Sequence, residues 1–94
     1  MEQDEKLEAL YAQMEELNPD ALKPDGLEGA IVGIAERCGM SPLFVIDRNK
    51  CIAILQEEGM SEEEAVEYFE FNVIGAYVGE HTPLFFTAIE DIIS

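Results

Sequence analysis

The run Met60-Ser61-Glu62-Glu63-Glu64 constrains this chain more than any other stretch. Ser61 is an N-cap residue, Glu64 stands three places on as the partner of a capping box, and three acids sit where a helix N-terminus is positive. A helix therefore starts at 62, and the pattern carries it to about 78. Its later half is apolar nearly all round. Val66, Phe69, Val73 and Ala76 fall on one side, and Phe71, Ile74 and Val78 on another, with Tyr68 and Tyr77 between them. Such a helix is either central in its domain or covered by a partner. With 94 residues, one domain's worth, there is little chain to surround it, so self-association is expected.

The remaining elements follow from punctuation. Leu7, Leu10, Tyr11, Met14 and Leu17 form one narrow stripe over residues 3–17. Glu5, Glu8, Glu15 and Glu16 take the solvent side of that helix, and Asn18-Pro19 stops it. Lys23-Pro24-Asp25-Gly26 has the order of a β-turn.

Residues 27–38 are open between two readings. Leu27, Ala30, Ile31, Ile34, Ala35 and Cys38 fit a helical stripe, and Asp25 with Glu28 has capping-box spacing. Gly29, Gly33 and the β-branched Ile31, Val32 and Ile34 favour a strand. We prefer a hairpin of 30–37 with 43–46, turning through Cys38–Pro42. Asp47 caps a helix over about 48–58, with Gly59 just past its end. Gly79 ends the long helix, and 82–87 reads as a third strand with Pro83 at its start or on an edge. The tail 88–94, with Ile89, Ile92 and Ile93, is too apolar to be free and is expected to pack on this chain or on a second copy. The predicted fold is α+β: a small antiparallel sheet of about three strands packed against the two adjacent helices. The acidic N-terminal helix and its loop (1–26) precede a single compact domain (27–94).

Charge narrows the partners. Twenty-one acids against five bases give −16, which argues against direct nucleic-acid binding and against an anionic membrane surface. The excess is uneven. Residues 1–28 hold nine acids and two lysines, net −7, and 29–50 are net +1. Residues 51–94 hold ten acids and no lysine or arginine. No apolar run approaches the ~20 residues of a membrane span, and an acidic start is the wrong sign for an export signal. The cysteines, Cys38 and Cys51, form no disulfide framework and no zinc spacing, so a reduced, cytoplasmic setting is expected.

The chemistry-bearing residues are few. No phosphate-binding glycine loop is present, and the stretch from Asp47-Arg48-Asn49-Lys50 has Ile52 where a calcium loop needs its glycine. No catalytic set, metal site or cofactor is expected. His81 is the only histidine. A Cys–His dyad with Cys38 or Cys51 is arithmetically open, and Glu80-His81 is a weak orienter–base pair. Glu70, between two phenylalanines, needs a partner such as Arg37, Arg48 or Lys50. Asn72 either bonds to the returning strand or sets register in an interface.

The residues we expect at an interface are Phe71, Asn72, Ile74, Tyr77, Val78, Ile89, Ile92 and Ile93. Glu57, Glu58, Glu62, Glu63, Glu64 and Glu67 form the expected acidic surface. Three functions follow, in order: a self-associating interaction protein, an acidic mimic of nucleic acid that occupies a basic host protein, and a small Cys/His enzyme.

Four runs stand out: Asp47-Arg48-Asn49-Lys50-Cys51-Ile52, Gly59-Met60-Ser61 followed by Glu63-Glu64-Ala65, Glu67-Tyr68-Phe69-Glu70-Phe71-Asn72-Val73, and Gly75-Ala76-Tyr77-Val78-Gly79-Glu80-His81-Thr82-Pro83, of which Phe69-Glu70-Phe71-Asn72 and Gly79-Glu80-His81-Thr82-Pro83 are uncommon strings. In them the chain resembles a group of small uncharacterised proteins encoded by phages, prophages and microbial genomes. The resemblance covers about residues 27–86 and leaves the first helix outside. It implies an accessory protein in a viral or mobile-element setting, and no catalytic residue.

Overall fold

The computed structural model describes residues 3–93. In chain order these form α1 (Gln3–Leu17), a 3-10 turn (Glu28–Ala30), β1 (Ile31–Arg37), β2 (Met40–Asp47) and α2 (Arg48–Glu57). There follow α3 (Glu62–Tyr68), a π-helical turn (Phe69–Val73), β3 (Leu84–Phe86) and α4 (Ile89–Ile93). The class is α+β, as the sequence pattern indicates.

Residues 31–37 are strand, which decides the open question in the hairpin's favour. The turn is tighter than expected: Gly39 supplies a left-handed residue at φ +84°, and β2 begins at Met40. Pro42 therefore lies inside β2, next to a register irregularity between Ala35 and Arg37 of β1. A proline is tolerated there because the ladder is already interrupted.

The sheet order is β1-β2-β3. β1 and β2 are antiparallel, with Ile31 opposite Ile46 and Ile34 opposite Phe44. The third strand departs from the expected antiparallel arrangement. β3 pairs parallel to β2, with Val45, Ile46 and Asp47 opposite Leu84, Phe85 and Phe86. α2, α3 and the π-helical turn lie between the two strands, a crossover long enough to return the chain in the same direction.

Both caps form. Asp47 accepts from the amides of Asn49 and Lys50, which starts α2 directly off the end of β2. The Ser61 hydroxyl accepts from the Glu64 amide, and the Glu64 carboxylate accepts from the Ser61 amide. Gly59, at φ +109°, lies just beyond α2.

The long helix is shorter than expected. α3 ends at Tyr68, and the next turn widens to a π-helical spacing in which the Ile74 amide donates to the Phe69 carbonyl at 2.9 Å. The chain then leaves the helix well before 78. Burial in this stretch is on one side only. Phe69 is wholly enclosed and meets Phe85 edge-on at 5.5 Å, and Val73 packs beside the core. Nothing on the other side holds Phe71, Ile74 or Val78 inward. One core joins these elements, built from Met14, Leu27, Ile31, Phe44, Ile46, Cys51, Ile52, Leu55, Ala65 and Phe69. α1 lies against the sheet, with Tyr11 edge-on to Phe44 at 5.7 Å.

Candidate interaction surface

Removing the last turns of the expected helix changes what the segment 69–93 presents to solvent. Among the described residues, six large apolar side chains are two-thirds exposed or more: Phe71, Tyr77, Val78, Ile89, Ile92 and Ile93, at 67–75%. All six were expected at an interface, and Ile74 is 46% exposed. Single exposed apolar residues are ordinary, whereas six within residues 71–93 are not. The tail 89–93 forms α4 and does not pack into this chain's own core, which removes one of the two expectations for it.

The segment is held in shape. Thr82 accepts from the Val78 amide at 3.0 Å and donates its hydroxyl proton to the Gly79 carbonyl at 2.7 Å. Gly79, at φ +116°, adopts a backbone that other residues rarely enter. At Gly75 a Cβ would lie 2.9 Å from the Glu70 carbonyl oxygen and 3.0 Å from that of Phe71. Tyr77 and Val78 are thus displayed from a fixed loop. Beside them runs a groove of about 580 Å³ between the hairpin tip and this loop, lined among others by Arg37, Met40, Ile74, Tyr77 and His81.

Asn72 does not bond to the returning strand, the first of its two expected roles. It is exposed and makes no side-chain hydrogen bond among the described residues. The polar residue that does tie distant segments together is Asn18. Buried at 5% exposure, it donates through Nδ2 to the Pro42 carbonyl at 2.9 Å and to Nδ1 of His81 at 3.2 Å. Its Oδ1 accepts from the Asp20 amide at 3.2 Å. Because Nδ2 can only donate, Nδ1 of His81 is the acceptor and a neutral ring carries its proton on Nε2. Nε2 stands 3.6 Å from Glu80 Oε1. The Leu22 amide also donates to the His81 carbonyl at 3.1 Å. Glu80 and His81 thus belong to a seam that joins the end of α1 to the loop before β3. In the sequence Asn18 reads only as a helix stop. Its one distinguishing signal was an amide side chain placed immediately before a proline.

The geometry for a Cys–His dyad is not present. Cys51 is buried, and burial beside the Asp47 carboxylate pushes its thiol up to about 11, away from thiolate chemistry. Cys38 is exposed, and no sulfur among the described residues hydrogen-bonds to the imidazole. Glu70 finds the partner its position required: its carboxylate pairs with Arg48, whose guanidinium also stacks over Phe69 at 5.2 Å. The six glutamates at 57, 58, 62, 63, 64 and 67 are all exposed around the α2–α3 corner. Of the six, none is paired with a lysine or arginine among the described residues. No family model, curated protein or solved structure matches the chain. Among the described residues, no helix is long and apolar enough to cross a membrane.

Proposed function

We propose that this chain is a non-enzymatic accessory protein of the phage or mobile-element kind. It acts in the cytoplasm through protein–protein contact, and first of all through self-association. The observation that supports this reading is the concentration of the six most exposed large apolar side chains within residues 71–93. Burying an aliphatic or aromatic side chain of this size contributes about 1.5–3 kcal/mol. A few of them meeting their counterparts can offset the repulsion between two acidic copies. The experiment is sedimentation velocity at tens of micromolar. A dimer or larger species is expected, and the double variant Ile89→Ser/Ile92→Ser should shift it toward monomer.

A second reading is favoured by a separate observation. The exposed, base-free glutamate corner at Glu57, Glu58, Glu62, Glu63, Glu64 and Glu67 suits a basic protein that ordinarily holds nucleic acid. Competition between this chain and a DNA fragment for such a protein would test it.

A further inference from the structure

The acidic corner and the exposed apolar segment meet on one face of α3. Met60, Glu64, Glu67, Tyr68, Phe71 and Asn72 line a shallow hollow of about 510 Å³. Positions 60, 64, 67, 68 and 71 are spaced as one helical stripe, and the π-helical turn begins between the last two. Phe71 is 75% exposed, Tyr68 is exposed, and Met60 is only half-buried. The apolar floor is therefore without a cover in this chain.

Two carboxylates flank that floor. Glu67 is exposed. Glu64 is held below the usual carboxylate range by its hydrogen bonds with Ser61, so it stays ionised while it lines the hollow. Residues 51–94 contain no lysine or arginine to answer these charges, and Arg48 is already occupied by Glu70. A second copy brings a further −16 toward this face. An occupant that carries both apolar groups and positive charge matches it better. The aromatic rings add to that match, because Tyr and Phe faces attract lysine and arginine head groups while their stems cover apolar surface.

We infer that the α3 face of this protein docks a basic amphipathic segment of a partner protein, one in which lysine or arginine alternates with apolar residues at helical spacing. The inference rests on the reading of this chain as an interaction protein, and Phe71 is the residue its hollow shares with the self-association segment. The apolar residues of the segment cover Tyr68 and Phe71, and its cations reach Glu64 and Glu67. Such docking is attractive in charge and weakens with salt, whereas self-association of an acidic chain strengthens with salt.

The test uses a fluorescein-labelled lysine–leucine amphipathic peptide, titrated with the full chain and read by anisotropy. Binding is expected, with an affinity that falls about tenfold between about 50 and about 300 mM salt. The double variant Glu64→Gln/Glu67→Gln should weaken binding about fivefold or more. It keeps the capping box, since glutamine also caps. Glu62→Gln/Glu63→Gln removes the same net charge from outside the hollow and should change the affinity less than about twofold. Phe71→Ala should weaken binding about fivefold. The self-association variant Ile89→Ser/Ile92→Ser should bind the peptide as the wild type does, so loss of oligomers and loss of docking are read separately. The inference is overturned if the two glutamine doubles weaken binding equally, if a glutamate–leucine peptide binds as well, or if the lysine–leucine peptide does not bind.

Discussion

Asn18 carries more of the architecture than its place in a loop suggests. One buried amide satisfies the Pro42 carbonyl, the His81 ring and the Asp20 amide, and so links α1, β2 and the loop before β3. Removing it leaves buried polar atoms without partners, which costs about 1–3 kcal/mol. Asn18→Ala should lower the free energy of unfolding by that amount in a denaturant titration. The cysteines separate in the same way. Cys38 should react with a thiol reagent in the native state, and Cys51 only on unfolding. The Cys51 thiol has a higher pKa folded, about 11, than its ordinary value of 9.0. Its contribution to stability is therefore full below about pH 9 and is lost as pH rises toward 11. Neither role was legible in the sequence. A buried asparagine and an exposed one, Asn18 and Asn72, look alike until the residues that surround them are placed.

The elements that were legible are those whose signal is local. Ser61 with Glu64, and Asp47 before α2, name their helix starts from side chains within three residues, and both caps form. Ser61→Ala should destabilise the fold by about 1 kcal/mol. The Glu64 carboxylate is lowered by the same box, so its contribution is present above its ordinary value of 4.5 and is lost as pH falls through the lower folded value. An acid titration of Ser61→Ala should lose only the hydroxyl's share of that component, because the backbone amide at 61, the larger cause, still donates to the Glu64 carboxylate.

Two features were not legible because their causes are distant in sequence. β3 is parallel because of where a crossover of two helices delivers it, which no residue within 84–86 encodes. The helix widens at 69–73, where Phe69 and Val73 meet core residues distant in sequence and Phe71 meets none. A trace of this was present in Gly75. Only a residue without a Cβ fits so close to the Glu70 and Phe71 carbonyls, and Gly75→Ala should cost about 1–3 kcal/mol.

As a whole, the molecule pairs one small core with a surface that is both very acidic and, over residues 71–93, apolar. The acid excess was plain from composition, and so was the excess of apolar residues after 69. The exposure of Phe71, Tyr77, Val78, Ile89, Ile92 and Ile93 was also within reach of the sequence, since 94 residues leave little chain to surround them. Phe71, Tyr77 and Val78 lie at or beyond the early end of the long helix, and Ile89, Ile92 and Ile93 lie on α4, outside the core. The self-association we propose has a salt dependence of definite sign. Screening weakens the repulsion between copies carrying −16 each, so the associated fraction should rise as salt is added. Sedimentation velocity of the wild-type chain at tens of micromolar, at low and at high salt, reads this directly. A dimer or larger species that grows with salt, and that Ile89→Ser/Ile92→Ser shifts toward monomer, is the expected result. A wild-type chain that sediments as a monomer under both conditions would contradict self-association through residues 71–93.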